Sequence, residues 1–215
     1  MQRISLERYT AFEVYKNLED LLAYRNVVYN YVFVNETDFK RHMTTIEYIL
    51  IKGTRNDKHG ARPFVIVLIA PGSSYALSVP RFKQLMRNIV TPEDLENKTE
   101  LVFISEFEFT NFIKTQLRED KKQHRAYIEN YTYDTFSIVV PKHVMVPKHE
   151  IADEQSINKF CEYYRTNKNR LPQIFVTDPM VAWLGARPGD VLRIFRESEH
   201  VGRAIGYRIV VKSQI

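Results

Sequence analysis

The 215-residue chain has room for one large domain or two small ones, and its 44% hydrophobic and 27% charged residues are ordinary for a globular protein. The first residues carry no signal-peptide pattern, and no window approaches the roughly eighteen consecutive apolar residues that a membrane span needs. The single cysteine, Cys161, excludes an internal disulfide framework and a multi-cysteine zinc site, and it favours a reducing, intracellular location.

The charge of the chain is modestly basic, with a formal net charge of +5. Residues 1–140 hold 19 Lys and Arg against 18 Asp and Glu, a net charge of +1. Residues 141–215 hold 12 against 8, a net charge of +4. This balance is consistent with contact to an acidic partner such as nucleic acid, and equally with a charge that only keeps a small domain soluble.

Apolar periodicity predicts the elements of the N-terminal part. Stripes at spacings of three and four, together with a helix-starting Pro80, predict helices at residues 4–24, 37–43, 81–89 and 110–124. Short β-branched or apolar runs predict strands at residues 45–51, 64–69, 101–105 and 131–140, with a polar connecting loop at 53–60. The run at 64–69 has no polar alternation, so it should be buried on both faces. Strands alternating with helices predict a three-layer α/β domain with partly parallel pairing.

The C-terminal part carries helix-cap and turn signals in close succession. Asp178 is placed to cap a helix that begins at Pro179, and Gly185 is placed to end that helix in a left-handed conformation. Pro188 and Gly189 predict a turn before the next strand. A further helix is expected at 153–164, and strands are expected at 174–176, 191–195 and 207–211. The pattern predicts a small mixed α+β domain.

The domain boundary is expected at Pro141, because Pro141 and Pro147 flank a short segment that should be extended. The chain would then consist of a domain over 1–140 and a second domain over 141–215.

No catalytic constellation emerges from the sequence. Glu93, Asp94, Glu96 and Lys98 resemble the carboxylate and lysine set of a metal-dependent nuclease. All four follow Pro92 on one loop-like stretch, so they cannot converge on an ion from neighbouring strands, and a solvated turn is the better interpretation. Ser73 and Ser74 lack the flanking pattern of a nucleophile elbow or a phosphate loop.

The remaining metal candidates are His143, His149 and Cys161. Zinc would need further ligands, so local hydrogen bonding of the two histidines at the domain boundary is favoured over a metal site. Cys161 lies on the apolar stripe of its predicted helix, which favours a buried structural thiol over a nucleophile.

The densest basic tract lies on the helix predicted at 110–124 and just beyond it. On a helix its basic residues share one face at spacings of three and four, which makes them the best candidates for contact with DNA phosphates. They are Lys114, Arg118, Lys121, Lys122 and Arg125. A merely solvated face is an equally simple interpretation.

Residues 143–211 resemble the C-terminal assembly domain of a small RNA polymerase subunit, which is the fifth subunit of eukaryotic enzymes and has a counterpart in archaeal ones. Several uncommon elements keep the order and spacing of that family. They are His143, Val146, Pro147, Lys148, His149, Leu171, Pro172, Asp178, Pro179, Leu184, Gly185, Arg187, Gly189, Asp190, Arg193, Arg196, Tyr207 and Arg208. One departure is Glu199, His200 and Val201 before Gly202, where the family has smaller residues.

The resemblance implies a non-catalytic subunit of a DNA-directed RNA polymerase, without a cofactor, metal ion or small-molecule substrate of its own. The assembly domain would dock on the largest subunit, near other small subunits, and the N-terminal domain would be a jaw beside downstream duplex DNA. The C-terminal motif around Trp183 and the ending at 212–215 look like the version encoded by large DNA viruses, which implies host cytoplasm and virion rather than the nucleus. The alternatives are a free-standing nuclease-like enzyme and a protein-interaction adaptor without DNA contact.

Overall fold

The computed structural model describes residues 2–58, 60–72, 79–89, 98–115, 117, 127–198 and 202–212. The chain divides into two compact units, Met1–Ile138 and Val139–Ile215, each with its own sheet. Both units mix helices with strands, which confirms the predicted fold class. Within the described ranges, no helix combines the length and the apolar character needed to cross a membrane.

The first unit is built on a five-stranded sheet in the order β1-β2-β3-β4-β5. Its strands are β1 (Val27–Tyr29), β2 (Tyr48–Asp57), β3 (Gly60–Ile69), β4 (Glu100–Ser105) and β5 (Tyr127–Thr132). Its helices are α1 (Gln2–Tyr24), α2 (Glu36–Thr45), α3 (Val79–Ile89) and α4 (Tyr133–Phe136), with a further helical segment at 111–115. β1, β2 and β3 pair antiparallel, whereas β3, β4 and β5 pair parallel, so the expectation of partly parallel pairing is confirmed.

Side chains from neighbouring helical segments cover both faces of this sheet. On one face Val65 of β3 and Phe103 of β4 pack against Phe82 of α3. On the opposite face the guanidinium of Arg25, just after α1, lies 5.8 Å from the ring centroid of Phe64. Residues 64–69 are all buried, as the absence of polar alternation predicts.

The prediction of a loop at 53–60 is wrong. β2 continues to Asp57 and pairs along its whole length with β3, so that most of this polar stretch is strand. Arg55 and Arg62 occupy directly opposite positions of the pair, and both side chains are buried. Polar composition indicated a loop, but here two of the polar side chains point into the protein.

The strand predicted at 131–140 is also wrong. β5 begins earlier and ends at Thr132, where the short helix α4 follows. Tyr133 and Phe136 are three residues apart and both are buried, so one helical turn places both on the core side. At the start of α2, Asn35 is the cap, and its side chain accepts the N–H of Asp38 at 2.9 Å.

The second unit is built on a four-stranded sheet in the order β6-β8-β9-β7. Its strands are β6 (Lys148–Ile151), β7 (Gln173–Phe175), β8 (Val191–Ser198) and β9 (Gly202–Val211). Its α-helices are α5 (Glu154–Tyr163) and α6 (Pro179–Leu184), and 3₁₀ turns lie at Val140–Lys142 and Lys168–Arg170. The segment from Pro141 is therefore not extended as expected, because it begins with a 3₁₀ turn. β8 pairs antiparallel with β6 and β9, and β7 runs parallel to β9.

A buried ionic network joins four strands of the first unit to the end of α1. At its centre is Glu100, the first residue of β4, whose side chain is fully buried. Its carboxylate accepts hydrogen bonds from three guanidinium groups over distances of 2.6–3.1 Å. These groups belong to Arg25, Arg55 and Arg62.

Two further carboxylates balance the three positive charges. Arg62 donates two hydrogen bonds to Asp57, at 2.6 and 2.9 Å, and Arg25 donates one to Glu129 at 2.6 Å. Burial opposes the charge of Arg25, but Glu129, Tyr131 and Glu100 outweigh burial, so that the pKa of Arg25 is raised above its ordinary value. Burial lowers the pKa of Arg55. The network therefore brings three carboxylates and three guanidinium groups together, largely away from water.

We expect Glu100→Gln to lower the free energy of unfolding of the first unit by about 3–5 kcal/mol, because three buried guanidinium groups would face only two carboxylates. Urea unfolding of the full chain, followed by far-UV circular dichroism, measures this loss. Trp183, the only tryptophan, is fully buried in the second unit and reports that unit separately.

The matched control is Glu36→Gln, which removes the same charge from an exposed ion pair with Lys40 on α2. It should change the free energy of unfolding by less than about 0.5 kcal/mol. Equal effects of the two variants would contradict a stabilising role for the network.

Candidate functional site

The motif residues predicted in the C-terminal part all lie in the second unit, and several of them fix the ends of α6. The carboxylate of Asp178 accepts the N–H of Met180 at 2.8 Å, as expected of a helix cap. Gly185 has a φ of 58° and donates its N–H to the carbonyl of Ala182 at 3.2 Å. Ala186 donates to Val181 at 3.1 Å, so both predicted ends of α6 are confirmed.

The turn predicted at Pro188 and Gly189 is closed by Asp190. The buried Asp190 side chain accepts the N–H of Arg187 at 2.8 Å, and Gly189 has a φ of 92°. Asp190 and Val210 also bond through their backbones, at 2.8 Å, which ties the turn to β9. These motif residues are structural, because their side chains or backbones satisfy local hydrogen bonds.

Other motif residues hold β7 and α5 to the sheet. Leu171 and Leu184 are buried, and the carbonyl of Pro172 accepts the N–H of Ile209 at 2.9 Å. The ring of Tyr207 lies 4.3 Å from that of Phe160 on α5, measured between centroids. These residues have a structural role in the second unit rather than a catalytic one.

Four of the motif residues line a groove of about 990 Å³ beside the start of β6. The groove is lined by Val144, Met145, Val146, Pro147, Lys148, Phe195, Arg196 and Glu197, and we call this set the β6–β8 groove. Val144 is 92% exposed and Met145 is 80% exposed, which is unusual for two adjacent large apolar side chains. The predicted motif residues Val146, Pro147, Lys148 and Arg196 are thereby brought together.

Charged side chains order the β6 side of the groove. Glu150 forms ion pairs with Lys148 and with Arg193, each at 2.7 Å. The hydrogen bonds from Arg193 and then Lys148 lower the pKa of Glu150 below its usual range. The cations of Arg193 and Lys148 lie 5.0 and 5.7 Å from the ring centroid of Phe195, within cation–π distance.

The two histidines near the domain boundary make local hydrogen bonds, as expected. His143 Nδ1 accepts the N–H of Met145 at 3.2 Å, and His149 Nδ1 lies 2.7 Å from the carbonyl oxygen of Pro147. Burial lowers the pKa of His149, which favours the neutral ring. Cys161 is half-buried and packs against the core of the second unit. In the described part of the chain, no group of three or more His, Cys, Asp or Glu side chains is placed to hold a metal ion.

The sequence-predicted sites of the first unit are only partly described by the structure. Lys114 forms an ion pair with Glu108 at 2.6 Å, which lowers the pKa of that glutamate. The other basic residues of the predicted tract, Arg118, Lys121, Lys122 and Arg125, lie outside the described residues. The described residues also exclude Ser73, Ser74, Glu93, Asp94, Glu96, Glu199, His200 and Val201.

Converging carboxylates were not predicted from the sequence, but the first unit contains them. Asp57, Glu100 and Glu129 lie on β2, β4 and β5 of the same sheet and are joined through shared guanidinium groups. A sequence signal did exist: Arg55 and Asp57 are two residues apart on a strand, so both point to one face. Glu100 is 38 to 75 residues from its three arginines, and Glu129 is 104 residues from Arg25, separations that sequence periodicity does not reveal.

Comparison with known proteins points to one group of proteins. Residues 138–210 match the family model described as RNA polymerase Rpb5, C-terminal domain. The chain is 38% identical over 73 residues to DNA-directed RNA polymerase subunit Rpo5 of Methanocaldococcus jannaschii, a match that covers 34% of this chain and 94% of the archaeal protein. The Rpo5 protein of Pyrococcus abyssi is 45% identical over 71 residues, which cover 33% of this chain and 87% of that protein.

A viral protein is also similar to the chain. The DNA-directed RNA polymerase RPB5 homolog of African swine fever virus (strain Badajoz 1971 Vero-adapted) is 38% identical over 88 residues. The match covers 41% of this chain and 43% of the viral protein. Archaeal and viral relatives alike are thus named as parts of a DNA-directed RNA polymerase.

We expect Asp178→Ala and Gly185→Val to destabilise the second unit. Loss of the Asp178 cap should cost about 0.5–2 kcal/mol. A β-branched residue forced into the left-handed conformation of Gly185 should cost on the order of 1–2 kcal/mol or more. Urea titration followed by Trp183 fluorescence measures both effects, and an unchanged midpoint in either variant would contradict the structural role given to that residue.

Proposed function

The chain belongs to the Rpb5 family of DNA-directed RNA polymerase subunits, and we propose that its second unit docks on the largest subunit of such an enzyme. The family assignment makes the chain a non-catalytic subunit that acts in transcription. The observation that carries the docking proposal is the coincidence of the matched residues, 138–210, with the compact unit Val139–Ile215. The matched residues therefore form a complete structural unit whose helix α6 is capped at both ends. Such a stable unit is suited to permanent assembly with other subunits.

We assign the docking surface to the β6–β8 groove. The buried motif residues already have structural roles, so we assign recognition of a partner to exposed side chains of the second unit. Val144 and Met145 supply an exposed apolar centre, and Lys148 and Arg196 supply charge beside it. An apolar centre bordered by charged residues, with arginine and aromatic residues enriched, is typical of protein–protein interfaces.

The nuclease-like alternative finds no support in the converging carboxylates of the first unit. A metal-dependent nuclease needs carboxylate oxygens that are available to an ion. Glu100 instead accepts hydrogen bonds from Arg25, Arg55 and Arg62, and its side chain is fully buried. The three guanidinium groups occupy the place that a cation would take, and the relatives are polymerase subunits rather than nucleases.

We further propose that the first unit acts as a jaw beside downstream duplex DNA. The support is the jaw that the family resemblance implies for the N-terminal part, together with the basic tract that begins at Lys114. Lys114 is itself paired with Glu108, which weakens its contribution to phosphate binding. A solvated face without DNA contact is the second candidate for this tract.

A polymerase subunit works inside the cell, and the relatives include both cellular and viral proteins. We propose that this chain is a viral version, which would place it in host cytoplasm and in the virion. The African swine fever virus relative supports this origin, and a cellular version would instead work in the nucleus.

We expect the double variant Val144→Asp with Met145→Asp to bind the largest polymerase subunit poorly while it keeps its fold. Two carboxylates in the apolar centre of an interface should lower recovery of the largest subunit at least about tenfold, since a central interface residue contributes more than roughly 1.4 kcal/mol. The measurement is quantitative co-purification of the largest subunit with the tagged full chain.

The matched control for this experiment is Val32→Asp, because Val32 is 81% exposed and lies in the first unit. Its recovery should equal that of the unchanged chain. Normal recovery with the double variant would place the docking surface outside the β6–β8 groove.

Replacement of Lys114, Lys121 and Lys122 by Gln tests the jaw proposal. If the tract contacts duplex DNA, each lost phosphate contact should lower the slope of log affinity against log salt by about 0.9, without sequence preference. The stability of elongation complexes over a salt series measures that slope. An unchanged slope with normal assembly would leave the tract as a solvated face.

A further inference from the structure

The end of α5 and the turn after it form an exposed surface that the docking proposal does not use. This surface consists of Lys159, Tyr163, Arg165, Lys168 and Arg170, and we call it the Tyr163 patch. All five side chains are exposed, and Tyr163 is 80% exposed. Residues 159–170 hold four basic residues and one acidic residue, Glu162, so their net charge is +3.

Two aromatic rings at this end of α5, Tyr163 and Tyr164, are exposed, and Tyr164 is 62% exposed. Phe160 packs at tilted angles against Tyr207 and Tyr164, at centroid distances of 4.3 and 4.5 Å. Tyr163 meets Tyr164 edge to face at 4.9 Å, and most of its own surface stays in solvent. Lys159 is four residues before Tyr163, so both occupy one face of α5. An aromatic face is thus held in solvent beside a cation, and it fills no core.

The backbone at Arg165 is in the left-handed region, which non-glycine residues adopt at a cost. Arg165 donates its N–H to the carbonyl of Glu162 at 3.1 Å, and Thr166 donates to Cys161 at 2.9 Å, which is a Schellman ending with Arg165 in the left-handed position. The φ of Arg165 is 48°. At the same position of α6 the chain uses Gly185. An arginine there costs roughly 1 kcal/mol or more relative to glycine, and such strain concentrates at functional surfaces.

The basic side chains after α5 are held on an ordered turn. Asn167 caps the 3₁₀ turn Lys168–Arg170, and its side chain accepts the N–H of Arg170 at 3.1 Å. Within the described ranges, neither Lys159, Arg165, Lys168 nor Arg170 makes an ion pair. Their charges are available to an anionic partner, and the ordered backbone lowers the entropy lost on binding.

We propose that the Tyr163 patch binds single-stranded nucleic acid. An exposed aromatic ring that every base can stack on, next to several cations that contact phosphates, is the combination by which proteins bind single strands without sequence preference. A duplex would meet the cations but could not use the ring, because its bases are already stacked. The proposal is independent of the docking on the polymerase, since it concerns the full chain by itself.

The experiment measures binding of the full chain to a fluorescent oligouridine or oligothymidine of about 12 nucleotides, a length within the range of common single-strand sites. The chain carries Lys114→Gln, Lys121→Gln and Lys122→Gln, so that the duplex contact proposed for the first unit does not contribute. A duplex of the same length and an acidic peptide are measured in parallel by anisotropy. We expect both single strands to bind more tightly than the duplex and the peptide. Binding that is as tight to the duplex or to the peptide would overturn the proposal, as would no binding of the single strands.

Substitutions of Tyr163 separate stacking from charge. Tyr163→Ala should weaken single-strand binding by about fivefold or more, the lower range for loss of one stacked base, and Tyr163→Phe should keep it. Because Tyr163 is exposed, neither variant should alter Trp183 fluorescence. Equal binding of Tyr163→Ala and the unchanged chain would overturn the proposal.

Arg165→Gly gives a readout that a structural role would not produce. It should raise the melting temperature by a few degrees, because glycine relieves the left-handed strain, and yet weaken binding and lower its salt slope by about 0.7. The matched charge control is Lys83→Gln, an exposed residue of α3. An equal loss of binding in Lys83→Gln, or full binding by Arg165→Gly, would overturn the proposal.

Discussion

The second unit depends on a helix that is too short to be stable by itself. α6 has six residues, whereas isolated helices shorter than about 12–15 residues are marginal in water. It forms because Asp178 satisfies a free N–H at its beginning, Gly185 turns the chain at its end, and all five residues from Met180 to Leu184 are buried. The groove and the Tyr163 patch are surfaces of the unit that this packing holds in shape. Assembly by surface contact requires such rigidity, since a flexible surface loses conformational entropy on binding.

The first unit is stabilised by a different device. Six charged side chains meet at its sheet, and they satisfy one another around Glu100. Buried charges are costly unless they are paired and hydrogen-bonded, so this arrangement tolerates substitution poorly. Because their oxygens are hydrogen-bonded to guanidinium groups, these carboxylates are not available to bind a metal ion. This agrees with the family assignment, which makes the chain a non-catalytic polymerase subunit.

Local signals in the sequence predicted most of the second unit and part of the first. The caps at Asp178 and Gly185 and the buried run at 64–69 are readable because each depends on neighbours within a few residues. The strand content of 53–60 and the helix at Tyr133–Phe136 were missed, because pairing and burial override composition there. The exposure of Val144 and Met145 at the centre of the groove could not be predicted either, since apolar residues in a sequence are usually taken as core residues. The ionic network depends on pairs up to 104 residues apart, beyond any periodic pattern.

Membership of a multisubunit RNA polymerase is tested most directly by native purification of the tagged full chain from the cells that produce it. Quantitative mass spectrometry then identifies the proteins that elute with the chain. We predict that the largest polymerase subunit elutes with it in equal amount and that the fractions synthesise RNA on a DNA template. Elution of the chain as an isolated monomer, or in a complex without polymerase subunits, would contradict this assignment.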